Sequence, residues 1–293
     1  MPEPGGVWQL GPRRVNRVGF GAMRLASASA FGLGPSRDRA ASIAVLRRAR
    51  DLGVNHFDTA AFYFSPLRSA NELIDAAFPD HDDDLVVATK VGPARTPSGE
   101  WADQARPDQL RGQVEENLRQ LGRDRLDLVY LRAFGPGSIA ERFGALAELQ
   151  SEGLIASLGI SNVSSEQLAE ARGVASVVSV QNRFGLDHRT PQTLDLLAET
   201  TRLGIAFVPY FAMAGASGER GRSGEANDAN DAVAAVAVAH GASVAQIRLA
   251  WTLHQAPNVL AIPGTGDMSH LEQNVEAAEI SFTHDELSLL GNS

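Results

Sequence analysis

The 293-residue chain contains no cysteine, which excludes disulfides, thiol catalysis and thiolate metal sites and suits a reducing compartment. It has no apolar stretch of the roughly 18 residues needed to span a bilayer. Its first residues, MPEPGGVWQL, carry neither a basic flank nor an apolar run, so no signal peptide is read there and a cytoplasmic location is expected. Positive charge is in deficit. The formal net charge is −9, whereas a general nucleic-acid binder shows a basic face. Neither nucleic acid nor a membrane is therefore an expected partner, and nothing in the pattern speaks to oligomeric state. The histidines His56, His81, His188, His240, His254, His270 and His284 are scattered without ligand spacing, so no metal site is expected. His56 and His254 read as packing or surface residues, and the acidic run from His81 to Asp84 as a solvated loop.

What is present is ordinary globular material: 44% hydrophobic and 21% charged residues, enough for one sizeable core. Short β-branched runs alternate with amphipathic helical stretches. Strands are expected over Val15–Met23, Val54–Thr59, Leu85–Val91, Leu126–Leu131, Ala156–Ser161, Val177–Asn182, Ile205–Tyr210 and Val259–Pro263. Each is apolar without alternation, as a strand buried on both faces reads. Between them, Leu110, Val114, Leu118 and Leu121 fall at helical spacing, with Pro107 suited to the first turn and Gly122 to the exit. Ser164 with Gln167, Ser243 with Gln246 and Thr283 with Glu286 match the capping-box spacing.

Eight strand–helix units point to an α/β (β/α)8 TIM barrel, a single domain over residues 1–293. A doubly wound open sheet would want Gly-x-Gly-x-x-Gly after its first strand. Here Gly19-Phe-Gly-Ala-Met-Arg24 lacks the third glycine. No linker is evident. Gly215 to Asp231, rich in small and polar residues, follows the seventh strand and reads either as a bland loop or as a cofactor lid.

In such a barrel, function sits at the C-terminal strand ends. Asp58, Lys90, Arg132, Ser161, Asn162, Gln181, Asn182 and Tyr210 fall there, and Tyr63 lies five residues past Asp58. Asp and Lys inside a barrel need partners, so one reading is a purely structural Asp58–Lys90 ion pair.

The segments GVNHFDTAAFY ending at Tyr63, ATKVG around Lys90 and GLIASLGISN ending at Asn162 resemble the aldo-keto reductase family. So do VQNR at 180–183, VPY at 208–210, AIPGTG at 261–266 and HLEQN at 270–274. The resemblance runs nearly the length of the chain and is strongest to the bacterial, pyridoxal-reductase-like branch. It implies the barrel already inferred, an extended NADPH (NADH being the alternative) and a small carbonyl or alcohol substrate. It makes Tyr63 the general acid, Lys90 and Asp58 its supports, and Ser161, Asn162 and Gln181 the holders of the nicotinamide carboxamide. Tyr210 becomes the aromatic stacked on the nicotinamide ring. Gly264, Thr265, His270, Gln273 and Asn274 fall at the adenosine-phosphate end.

Two departures stand out. Lys and Arg are common in the family where Gly264 and His270 stand here, which leaves Arg220 and Arg222 as compensating cations. And Arg132 replaces the usual His at the end of strand four, which the resemblance makes the fourth catalytic residue beside Asp58, Tyr63 and Lys90, still able to point an N–H at the substrate carbonyl. Arg is donor-only and permanently charged. At an effective dielectric of ~20 and ~5 Å, its attraction for a phenolate is about 3 kcal/mol, or roughly 2 pKa units. Tyr63 is then expected to be unusually acidic, favouring alcohol oxidation. Alternatively Arg132 binds a substrate carboxylate or phosphate, or turns toward an acidic neighbour. Phe20, Met23, Phe62, Phe64, Phe134 and Phe211 are expected around the substrate. A dehydratase, an aldolase using Lys90 as a Schiff base, or an NADPH-binding regulatory protein are the competing functions.

Overall fold

The computed structural model describes residues 5–27, 35–79, 84–96, 100–213 and 228–291. The chain opens with an antiparallel hairpin, β1 (Val7–Leu10) and β2 (Arg13–Asn16), before β3 (Phe20–Gly21) enters the main sheet. There follow α1 (Arg39–Asp51), β4 (His56–Asp58), a small hairpin of β5 (Phe64–Ser65) and β6 (Arg68–Ser69), α2 (Ala70–Ala77) and β7 (Val86–Val91). Next come α3 (Pro107–Leu121), β8 (Leu126–Arg132), α4 (Ala140–Ser151), β9 (Ile155–Ser161), α5 (Ser165–Val174) and β10 (Ser179–Arg183). The chain ends with α6 (Pro191–Leu203), β11 (Ala206–Tyr210), α7 (Asp228–His240), α8 (Val244–His254), α9 (Met268–Glu276) and α10 (His284–Leu289).

Strands β3, β4, β7, β8, β9, β10 and β11 pair in that order, all parallel. The eighth expected strand, Val259–Pro263, forms only single bridges: Val259 with Phe207 and Ala261 with Val18. Those bridges close the ring, so the fold is the (β/α)8 barrel. Arg17 supports the closure by donating from Nε to the Val259 carbonyl at 3.1 Å and from Nη2 to the carbonyls of Ala256 and Leu253. The first expected strand, Val15–Met23, is two elements. Its start belongs to the hairpin, and Ala22–Arg24 forms a helical turn.

Period-two alternation places Val86, Ala88, Leu128, Tyr130, Ala206 and Val208 in one inner cluster with Leu10 and Val15, so the hairpin plugs the lower barrel end. Tyr130 fits because Gly159 lies opposite: a Cβ there would sit 2.6 Å from its ring. The outer faces pack against the helices in a second, larger cluster. The three capping boxes and the Pro107-to-Gly122 helix form as expected, Gly122 taking a left-handed φ of 61°. Among the described residues no single helix is long and apolar enough to cross a membrane. His81, Arg220 and Arg222, and most of the stretch from Gly215 to Asp231, lie outside the described residues.

Candidate active site

The upper ends of β4 and β7 carry alternating side chains with opposite duties. Thr59 and Thr89 point outward and tie the strands to helices: Thr59 donates to Asn71 Oδ1 (2.7 Å), Thr89 to Asn117 Oδ1 (2.6 Å), and Asn71 to Asn117 (3.0 Å). Asp58 and Lys90 point into the barrel. The Lys90 ammonium donates to Asp58 Oδ1 at 2.7 Å, to Oδ2 at 2.6 Å and to the Thr59 carbonyl at 3.0 Å. Gln181 Nε2 adds a third bond to the Asp58 carboxylate, donating to Oδ1 at 2.7 Å. Both charged residues are buried. With its amine engaged by both carboxylate oxygens of Asp58, the pair speaks against a Schiff base on Lys90.

Tyr63 lies in the β4–α2 connection, where the unforeseen β5–β6 hairpin pins it. Its N–H donates to the Ala60 carbonyl and its own carbonyl accepts from Ala70, both at 2.9 Å. Phe62 braces its ring edge-on at 5.1 Å, and Lys90 Nζ lies 4.8 Å from the ring centre. Burial pushes the Tyr63 phenol above its ordinary value. The charge and hydrogen bond of Lys90 pull it down, Asp58 pushes it up, and the charge of Arg132 is the weakest of these influences. The expectation of an unusually acidic Tyr63 is therefore corrected: desolvation outweighs the added cation.

These groups face a cavity of about 600 Å³. Asp58, Tyr63, Arg132, Gln181, Tyr210, Gly264, Thr265 and His270 line it. Lys90 and Ser161 sit just behind the wall, buried, and Ser161 Oγ has no hydrogen-bond partner there. Asn162, at a left-handed φ of 61°, donates to the Ala133 carbonyl (2.9 Å) and accepts the Tyr210 hydroxyl at 3.2 Å. Gln273 and Asn274 lie further along α9 and are not on the cavity wall. Of the expected aromatic lining, Phe211 and the accompanying Met23 are present. Phe20 is instead core, packed on Phe57, because β3 turns that face outward. Phe62 backs Tyr63, Phe64 lies under Arg95, and Phe134 is half exposed beneath Arg132.

The far end of the cavity holds residues the sequence reading missed: Gly21, Arg24, Arg37, Gly266 and Asp267. Gly21 and Gly264 let two backbones approach, since a Cβ on Gly264 would stand 2.3 Å from the Gly21 carbonyl oxygen. Arg37, just before α1, donates from Nε to the Arg24 carbonyl at 2.8 Å. Its guanidinium lies on Gly266, where a Cβ would sit 2.7 Å away. Asp267 caps α9, and its carboxyl is held below the usual range first by the His270 backbone N–H and, more weakly, by the charges of His270 and Arg37. The signal that was available is a basic residue beside a helix N-cap on the upper face of the barrel.

The profile of the Aldo/keto reductase family matches residues 17–292. The chain belongs to the aldo/keto reductase family. It is 40% identical over 292 residues to the pyridoxine 4-dehydrogenase of Escherichia coli (strain K12), covering 97% of this chain and 96% of that protein. Among solved structures it is similar to an aldo/keto reductase from Klebsiella pneumoniae in complex with NADP and acetate, with 26% identity, 97% and 93% coverage and a TM-score of 0.77. A thermostable aldo-keto reductase solved with the inhibitor epalrestat is 28% identical, with 97% and 98% coverage and a TM-score of 0.81. In this aldo/keto reductase, the barrel closure and the cavity both fall within the matched residues.

Proposed function

We propose that this aldo/keto reductase is an NADPH-dependent oxidoreductase that interconverts an aldehyde or ketone with the corresponding alcohol. The observation that carries the reading is one cavity with two unlike ends: a buried phenol beside a Lys–Asp pair, and a cluster of two arginines and a histidine on a glycine-lined wall. That wall suits a nicotinamide dinucleotide. Tyr210 offers a ring face, Ser161 Oγ an unused polar atom, and Gly21 with Gly264 a narrow passage for backbone contact. Thr265, His270, Arg24 and Arg37 would hold the adenosine-side phosphates, backed by the N-terminus of α9. When bound, the nicotinamide supplies a hydride to the carbonyl carbon or accepts one from the alcohol.

The chain's own part is the proton. As the carbonyl carbon is reduced, Tyr63 Oη gives its proton to the carbonyl oxygen, forming the alcohol O–H. The phenolate left behind is stabilised by Lys90, which Asp58 keeps charged and oriented, and the proton returns from water. In the reverse direction the phenolate removes the alcohol proton. General acid catalysis of this kind contributes on the order of 10²–10⁴-fold.

The 40% identical relative is named for pyridoxine, so pyridoxal joins aromatic and anionic aldehydes in the test panel. Quenching of the three tryptophans by NADPH or NADH reads binding, and loss of nicotinamide absorbance reads turnover. NADPH is expected to bind more tightly than NADH, and at least one aldehyde to be turned over. Binding without any turnover would instead support a regulatory, cofactor-sensing protein.

A further inference from the structure

Arg132 ends β8 in register with Ser161 and lines the cavity together with Tyr63, Gln181 and Tyr210. Its guanidinium carbon stands 5.7 Å from the Phe134 ring centre and 5.8 Å from that of Tyr210. The Nε is shielded from solvent with no hydrogen-bond partner. Among the described residues no carboxylate forms an ion pair with it. Asp58, at the same end of the cavity, is already bound by Lys90 and Gln181, and Asp267 caps α9 at the other end.

An arginine laid against aromatic faces is oriented before anything binds, and its planar edge matches a planar anionic oxygen group. A partly desolvated cation without a counter-charge is costly, and a ligand that brings the charge removes that cost. We propose that Arg132 is the anchor for an anionic substrate: an aldehyde or ketone bearing a carboxylate or phenolate near its carbonyl group. The anchor rests on the oxidoreductase reading for the carbonyl, but not for the anion.

The test uses the full chain, with and without NADPH. Calorimetry compares benzoate with benzamide, and 4-nitrophenolate with 4-nitrobenzyl alcohol, so that the two pairs separate carboxylate from phenolate. Wild-type protein is expected to bind at least one anion about tenfold or more tightly than its neutral counterpart, with Arg132→Gln erasing the difference and Arg132→Lys keeping part of it. In turnover, the ratio of kcat/KM for 3-carboxybenzaldehyde to that for its methyl ester, or for salicylaldehyde to 2-methoxybenzaldehyde, should fall about tenfold or more in Arg132→Gln, chiefly through KM. Equal binding of anion and neutral partner by wild-type protein overturns the anchor, and needs no variant. So does an Arg132→Gln variant, folded by circular dichroism, that weakens both partners alike. Anion discrimination without turnover of any aldehyde would sink the oxidoreductase reading while leaving the anchor standing.

Discussion

Lys90 meets Asp58 at two points, its ammonium lying 2.7 Å from one carboxylate oxygen and 2.6 Å from the other. It is the only lysine in the chain, whose other permanent cations are all arginines. An arginine at this position would spread its charge over a larger planar group and could not place a compact ammonium beneath the Tyr63 ring. Burying the pair is costly unless both members are present. Lys90→Met or Asp58→Asn alone is therefore expected to lower unfolding free energy by roughly 3–5 kcal/mol, while the double variant loses less than the two singles combined. Urea denaturation of the four proteins checks this, and additive losses would contradict a mutual dependence.

The raised pKa of Tyr63 sets the pH dependence. Burial keeps the phenol protonated beyond its ordinary value, so it remains a proton donor throughout the neutral range. Aldehyde reduction should hold level in kcat/KM through neutral pH and decline only above about 10, the usual tyrosine value. Alcohol oxidation, which needs the phenolate, should still be rising at that pH. A reduction profile that falls near pH 7 to 8 would instead indicate an acidic Tyr63.

Arg37 gives a prediction for cofactor choice. Its guanidinium lies over Gly266 at the end of the cavity away from Tyr63. A hydrogen bond to a charged group is worth about 1.5–3 kcal/mol, so Arg37→Ala should weaken NADPH binding by roughly tenfold to a hundredfold. NADH, lacking the 2′-phosphate, should change far less. Equal weakening of both cofactors in fluorescence titrations would assign Arg37 to structure instead.

His56 supplies a stability prediction unrelated to catalysis. Its ring is buried against Gly19, where a Cβ would stand 2.1 Å from Nε2, and burial lowers its pKa to about 4. An unfolded histidine titrates near 6.5, so the unfolded chain binds the extra proton first as pH falls. Its effect is absent above the unfolded value and grows through the interval down to the folded one, reaching about 2 kcal/mol of lost stability by pH 5. His56→Gln should flatten this part of the stability–pH curve, as read by denaturation at pH 7.5 and 5. An unchanged slope would show that other groups carry the acid sensitivity.

Much of this was legible in the sequence because the barrel's signals are local. Strands β7 to β11 lie close to their expected ranges, since runs buried on both faces have little alternative. The pairing of Asp58 with Lys90 followed from two charges at neighbouring strand ends. Less legible was anything decided by non-local closure. Val259–Pro263 is held by bridges and by Arg17 rather than by a regular ladder, and Val15–Asn16 leaves the barrel to plug it. Arg37 was missed because its place on the cavity wall depends on a glycine 229 positions away in the chain. The acidity of Tyr63 was overestimated because a Coulomb argument at an assumed distance left out desolvation, the largest influence on the phenol.

The central claim is that Tyr63 moves the proton while the bound cofactor moves the hydride. It is tested most directly by Tyr63→Phe, which keeps the ring packed on Phe62 and removes only the hydroxyl. The variant is expected to bind NADPH within a few-fold of wild type and to lose aldehyde reduction on the order of 10²–10⁴-fold in kcat. Reduction by Tyr63→Phe at close to the wild-type rate would contradict it.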